Sequence, residues 1–126
     1  MITKLLTPVR ISDFLQDWTI QPYHWARHIR MYTNEFPDTN NCLIALIGVN
    51  ESRGSMQNSG CNTGADTVRR HLYQLAISEY PLQMIDAGDV IIGETPDETY
   101  QNVKMVMEWF LGQQILPILI GGSQDI

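Results

Sequence analysis

Three short apolar runs alternate with two amphipathic segments along the last two thirds of the chain. The runs cover residues 43–49, 82–85 and 116–120, and polar residues bound each of them. Continuous apolar runs of this length are typical of strands that are buried on both faces, as in a parallel sheet. The segments between them carry apolar residues at helical spacing, which predicts helices over residues 64–77 and 96–111.

The order strand, helix, strand, helix, strand indicates βαβ units. We therefore predict an α/β fold of three layers (αβα) with a parallel sheet, and residues 42–126 hold only the first three strands. Residues 1–41 lack this alternation of strands and helices. They are predicted to form an N-terminal extension, partly helical, with short helices near residues 11–18 and 23–32. A parallel sheet of three strands is small, so we expect a truncated domain.

The composition is that of a folded, acidic protein. The 126 residues are 44% hydrophobic and include 8 Lys or Arg against 14 Asp or Glu, a net charge of −6. Proteins that bind duplex nucleic acid neutralise phosphates with a basic face, so we expect no nucleic-acid partner. No apolar run approaches the ~20 residues of a membrane span and no signal peptide is evident. We therefore expect no membrane partner and a cytoplasmic location.

Candidate chemistry lies where the predicted strands end, because ligands of open α/β sheets bind just beyond the carboxyl ends of the strands. Three segments take that position: residues 50–62, 86–94 and 121–125. The first is rich in glycine and precedes a helix, but it is long, whereas a dinucleotide-binding loop turns tightly through Gly-x-Gly-x-x-Gly. The Gly-Lys-Ser/Thr of a P-loop is also missing, so the pattern disfavours nucleotide binding.

Three motifs in order resemble the ureohydrolase family (arginase, agmatinase, formimidoylglutamase). Gly48-Val49 and a long loop lead to Gly-Ala-Asp-Thr-Val-Arg at residues 64–69, where the family has Gly-Pro-x-x-Ile-Arg. Residues 86–90 match the family's Asp-x-Gly-Asp-Val, and residues 121–125 replace its Gly-Gly-Asp-His-Ser with Gly-Gly-Ser-Gln-Asp. The resemblance covers residues 43–126, and the extension is similar to the formimidoylglutamase-like branch.

The resemblance implies a binuclear manganese hydrolase that acts on linear amidines of the arginine, agmatine or formiminoglutamate type. However, Gln124 stands where the first motif has its metal-binding His, and Ser123 stands where it has Asp. A glutamine amide is a weak, neutral ligand for a transition metal. The family's later ligand motifs, Asp-x-His-x-Asp and Asp-x-x-Asp, would lie beyond Ile126. We therefore assign no catalytic or metal residue and expect the isolated chain to bind no manganese.

The motif residues Gly64, Arg69, Asp86, Gly88, Asp89, Gly121 and Gly122 are interpreted as structural. Asp86 and Asp89 could form a carboxylate pair for metal or acid–base chemistry, but capping of backbone amides is favoured. For Arg69, a buried ion pair is favoured over substrate contact. The resemblance also implies the strand order second, first, third, which makes the third strand an unprotected edge, so we expect a homo-oligomer.

Other reactive side chains carry weaker signals. His24 and His28 have the i, i+4 spacing of a zinc pair, but a packing or surface role is favoured because no metalloprotease Glu follows. Cys61 near a helix start could be a nucleophile, but no partner base is close in sequence and His71 belongs to the helix surface. Gly112 is predicted to end its helix as a cap glycine.

Two other hypotheses stay open. The chain could be a non-catalytic ureohydrolase-like domain that binds or assembles, or an unrelated flavodoxin-like binder of small molecules with a different strand order. The residues that would define the substrate lie later in the family's sequences, so the substrate is not predicted.

Overall fold

The computed structural model describes residues 1–10 and 20–126, so the helix expected near residues 11–18 lies outside the described residues. The strands are β1 (Leu6–Thr7), β2 (Arg30–Met31), β3 (Ile44–Val49), β4 (Met84–Val90) and β5 (Leu116–Gly121). The α-helices are α1 (Gly64–Leu72) and α2 (Pro96–Gly112), and 3-10 turns lie at Ile2–Leu5, Trp25–Arg27 and Ser59–Thr63.

The three long strands form a parallel sheet with β3 in the centre, in the order β4-β3-β5. Ala45 of β3 lies between Ile85 of β4 and Pro117 of β5. The α/β class and the predicted order of second, first and third strand are thereby confirmed. The flavodoxin-like alternative stays a prediction, because flavodoxin-like sheets share the order second, first, third.

Helices cover both faces of the sheet and complete three layers. Val106 and Phe110 of α2 are buried in one cluster with Ala45 and Ile47 of β3. Leu46 points to the opposite face, where the second cluster contains Val9, Ile29, Leu46, Tyr73 and Met84. Because successive residues of a strand face opposite sides, an uninterrupted apolar run is what a centrally placed strand requires.

The N-terminal segment closes the outer edge of β4 with two short strands that the hydrophobic pattern did not predict. β1 pairs with β4 in antiparallel orientation through Leu6 and Val90, and β2 pairs with it in parallel orientation through Arg30 and Ile85. Leu6 is buried in the cluster beneath α2. The extension is therefore part of the sheet, while its boundary at residue 41 stays a prediction.

Two helices differ from their predicted bounds. α1 ends at Leu72 instead of residue 77, because the following backbone bonds to the extension: Trp25 N donates to Leu75 O at 2.9 Å and Ile77 N donates to Tyr23 O at 2.8 Å. The second difference lies in the N-terminal extension. The helix expected over residues 23–32 is a single 3-10 turn followed by β2.

The end of α2 and the end of β4 also differ from expectation. Gly112 is the last residue of α2, and the left-handed residue that turns the chain is Gln114, with φ 61°. The Asp-Ala-Gly-Asp-Val motif, expected just after a strand ending at residue 85, forms the last five residues of β4. Within residues 1–10 and 20–126, no helix is long and apolar enough to cross a membrane.

Candidate functional site

The carboxyl ends of the three long strands bring the motif segments together at one edge of the sheet. Asn50 and Glu51 follow β3, Asp89 lies near the end of β4, and Ser123 follows β5. Asn50 Nδ2 donates to Asp89 Oδ2 at 3.0 Å, and Ser123 N donates to Glu51 O at 2.7 Å. These bonds join all three strand ends into one polar edge.

A buried guanidinium organises the end of β4. Arg69 has no exposed side-chain surface, and its Nε and Nη2 donate to the two oxygens of Asp86 at 2.8 and 2.9 Å. Nη1 donates to Asp89 at 2.7 Å and to Asp66 at 3.1 Å. Nη2 also donates to the carbonyl of Gly88 at 2.9 Å. All five N–H donors of the guanidinium are thus used, which is how a buried cation is stabilised.

The two aspartates of this cluster have further partners of their own. Asp86 accepts hydrogen bonds from the Tyr73 hydroxyl and from Gly88 N, and Asp89 accepts one from Asn50. Both side chains are nearly inaccessible to solvent, at 0% and 8%. Carboxylates engaged in this way stabilise strand β4 and leave little capacity for an incoming ion or substrate.

Burial and charge fix the protonation of this cluster. Burial raises the pKa of Tyr73, and the neighbouring carboxylate of Asp86 raises it further, so the phenol keeps its proton. Burial alone would lower the pKa of Arg69, but Asp86 and Asp89 together raise it above its usual value. The cluster therefore holds a permanent cation between two anions.

A second ion pair, which was not predicted from the sequence, anchors the loop after β3. Glu51 is 1% exposed, and Arg53 donates to its carboxylate through Nε at 2.9 Å and Nη2 at 2.6 Å. The same guanidinium donates to the carbonyls of Gly93 and Glu94, at 2.9 and 2.7 Å. Its hydrogen bonds lower the pKa of Glu51 to about 2. The local signal was an acid two residues after a buried strand and two residues before a cation.

Close backbone packing explains Gly122, which follows β5, and Gly64, which begins α1. A Cβ atom on Gly122 would lie 2.1 Å from Glu51 O, so no larger residue fits without a shift of the backbone. Ser123, which is buried, also donates through Oγ to Glu51 O at 3.1 Å. Gly64 faces the end of β5, since its Cβ would lie 3.1 Å from Gly121 O.

The side chains that could act as metal ligands at this edge do not fit a manganese ion. Gln124 is exposed and offers a neutral amide, and the Ser123 hydroxyl is engaged with Glu51. Asp125 accepts a hydrogen bond from Tyr100, and Asp89 is engaged with Arg69 and Asn50. Among the described residues, no group of three His, Cys, Asp or Glu side chains could hold a metal. That the chain binds no manganese stays a prediction.

Of the weaker candidates of the sequence, Cys61 lies beside this edge, since its carbonyl oxygen would be 3.3 Å from a Cβ atom on Gly122. His24 Nδ1 accepts from Gln21 N at 2.9 Å and His28 Nε2 contacts Pro22 O at 2.7 Å, so both rings bond to the backbone next to them. They do not share a helical face, because only a 3-10 turn separates them. Cys61 is half-buried in the 3-10 turn before α1, and His71 is exposed on α1.

Comparison with known proteins agrees with the motif pattern. The model of the arginase family matches residues 43–126, which is more than half of the chain and the same stretch over which the three motifs occur. No curated protein and no solved structure matches the chain. The strand order that the resemblance implies is present in this molecule, and its three motif segments meet at one edge of the sheet. The chain therefore belongs to the arginase family.

Proposed function

We propose that this chain is the N-terminal portion of a ureohydrolase-like enzyme that hydrolyses linear amidines. The observation that carries the proposal is the arginase-family match over residues 43–126, whose motif segments meet at the carboxyl edge of β3, β4 and β5. Ligands of α/β sheets bind at that edge. An arginine-, agmatine- or formiminoglutamate-type molecule is the proposed substrate class.

In this proposal the residues of the chain position one side of the active site, and none of them binds the metal or takes part in the reaction. Arg69 holds the end of β4 through Asp86 and Asp89, and Arg53 holds the loop after β3 through Glu51. Manganese is the metal of the complete family enzyme, but the donors of this chain do not fit it. We therefore propose that the isolated 126 residues hydrolyse no amidine and that other segments supply the ligands.

Two measurements test the proposal. Urea, formamide and ammonia release would be assayed with arginine, agmatine and formiminoglutamate in the presence of manganese. We expect no turnover by the highly purified chain, and metal-dependent turnover would refute its passive role. The coding sequence after Ile126 is expected to encode Asp-x-His-x-Asp, and its absence from a longer reading frame would contradict the hydrolase proposal.

A second candidate function is a non-catalytic role in binding or assembly. The observation that favours it is the outer edge of β5, which pairs with no other strand of the described chain and carries exposed Leu116 and Ile118. A reading frame without ligand motifs, together with a stable assembly of the purified chain, would support this candidate over the hydrolase.

A further inference from the structure

A cavity of about 570 Å³ lies at the carboxyl edge of the sheet, where β1 pairs with β4. One wall is the segment of residues 7–10, which leaves β1, and the other wall consists of Asn50 and Asp89. We call it the β1–β4 cavity. Its lining comes from β1, β3 and β4 and the residues that follow them, so it does not depend on the outer edge of β5. Cavities of this size are typical of small-molecule sites.

Backbone contacts hold the walls of the β1–β4 cavity in place. Thr7 pairs with Asp89 in the antiparallel ladder, and Val9 N donates to Tyr32 O at 2.8 Å. Val9 is also buried in the core beneath α1. Because both walls are fixed before a ligand arrives, binding does not have to order them, which lowers its entropic cost.

Opposite charges line the two walls of this cavity. Arg10 Nη2 donates to Asp66 at 2.8 Å, and Arg69 Nη1 donates to Asp66 at 3.1 Å and to Asp89 at 2.7 Å. These four side chains form one row of alternating charge. Its two ends, Arg10 and Asp89, both line the cavity, which therefore has a positive wall and a negative wall.

The positive wall can bind a carboxylate. The side chain of Arg10 is 63% exposed, so its guanidinium is accessible from solvent. A guanidinium has five N–H donors in one plane and binds carboxylates through two of them. Arg10 can therefore contact Asp66 and the carboxylate of a ligand together.

The negative wall favours a positively charged group with N–H donors. Asn50 Nδ2 donates to Asp89 Oδ2 at 3.0 Å, so the carbonyl Oδ1 is the group that Asn50 can offer to a ligand. Three aspartates, Asp66, Asp86 and Asp89, surround the single cation of Arg69, so their negative charge exceeds its positive charge. This surplus attracts an ammonium group to Asn50 while Asp89 keeps its own hydrogen bonds.

We propose that the β1–β4 cavity binds an α-amino acid with an aliphatic side chain. The carboxylate of the ligand pairs with Arg10, its ammonium group donates to Asn50 Oδ1, and its side chain packs on Pro8 and Val9. A ligand with only one of the two charges satisfies only one wall. The proposal goes beyond the hydrolase function, because no metal and no reaction take part and the isolated chain contains the whole site.

Titration of the purified chain with L-leucine, followed by nuclear magnetic resonance, tests the proposal. We expect saturable binding with a Kd of about 1 mM or tighter, together with a shift of the Asn50 side-chain amide signals. Two analogues each lack one charge: 4-methylpentanoate has no ammonium group, and 3-methylbutylamine has no carboxylate. Each should bind about tenfold more weakly or worse, because one wall stays without a partner.

Arg10→Gln removes the positive wall and should weaken L-leucine binding about tenfold or more. Arg27→Gln is the matched control, because Arg27 is exposed in the 3-10 turn Trp25–Arg27 and does not line the cavity, so the affinity should stay unchanged. If Arg10→Gln fails to fold, Arg10→Lys keeps the charge without the planar pair of donors and should weaken binding about threefold or more.

Three results would overturn the proposal. The first is no saturable binding of L-leucine up to about 10 mM. The second is equal affinity for either analogue, since the cavity would then recognise one charge alone. The third is an Arg10→Gln variant that folds and binds L-leucine as tightly as the natural chain.

Discussion

A single side chain determines the polar interior at the end of β4. Arg69 lies between Asp86 and Asp89, and each charge of the cluster is stabilised only while the others are present. Such a buried cluster adds little to stability compared with apolar residues, but the loss of one member leaves an uncompensated charge. The sequence motif therefore depends on all three residues together.

Arg69→Met tests this dependence. The variant leaves Asp86 and Asp89 buried without their cation, so its free energy of unfolding should fall by about 3–5 kcal/mol. Arg69→Lys keeps the charge but cannot form the bidentate contacts. Its free energy of unfolding should therefore lie between those of the natural chain and Arg69→Met. The measurement is urea-induced unfolding followed by circular dichroism.

Arg70→Met provides the matched control for this experiment. Arg70 is the neighbouring residue of α1 and is exposed, so the change in its unfolding free energy should be about 0.5 kcal/mol or less. Equal stability of the two methionine variants would show that the buried cluster has no structural role.

The lowered pKa of Glu51 predicts how the stability of the chain depends on pH. Its pKa is about 2 in the folded chain and 4.5 in the unfolded one. Its contribution is therefore fully present above about pH 4.5 and is lost as the pH falls toward about 2. The difference in melting temperature between the natural chain and Glu51→Gln should shrink across this window. Exposed Glu79→Gln should show no such pH-dependent difference, and a constant difference for Glu51→Gln would contradict the ion pair.

The elements could be predicted where burial alone defines them. The strand β3 lies within its apolar run, β5 exceeds its run by one residue, and α2 was predicted almost to its last residue. The end of β4 was missed because Asp86 and Asp89 break the apolar pattern, and their compensating cation comes from α1. β1 and β2 are two residues long and exist only through their pairing with β4, so no periodicity marks them.

Gly88 connects the strand motif to β1. Its φ is +81°, and a Cβ atom would lie 2.0 Å from Thr7 O, so Gly88→Ala should both strain the backbone and separate β1 from β4. We expect a loss of about 2 kcal/mol or more in thermal or urea unfolding. Gly112→Ala is the control, because open space surrounds this residue at the end of α2, and it should not destabilise the chain. A neutral Gly88→Ala would argue against the observed pairing of β1.

At the scale of the whole molecule, one edge of the sheet is closed and the other is open. The closing segment belongs to the stretch before the arginase-family match, so residues outside the match pair with the matched part of the sheet. The carboxyl edge has the motif geometry of the family without a metal-ligand set among the described residues. The motif residues are far apart in sequence, so only the folded structure shows that they meet at this edge.

Removal of residues 1–10 tests whether the sheet needs β1 to close the outer edge of β4. Ile2, Leu6 and Val9 are buried at 6%, 3% and 5% exposure, and each contributes about 1.5–3 kcal/mol. Their loss approaches the 5–15 kcal/mol that stabilise a typical domain, so the shortened chain should be largely unfolded by circular dichroism. Removal of Met1 alone, which is 89% exposed, should have no effect. A shortened chain that unfolds cooperatively at the original temperature would contradict the role of β1.

The manganese content of the purified chain tests the central claim most directly, namely that an arginase-family sheet is present without a metal site of its own. The chain would be equilibrated with manganese, dialysed against metal-free buffer and analysed for metal by mass spectrometry, with circular dichroism confirming that it is folded. The account predicts far less than one ion per folded chain, because Gln124 and the engaged carboxylates offer no ligand set. One or more tightly held manganese ions per chain would contradict it.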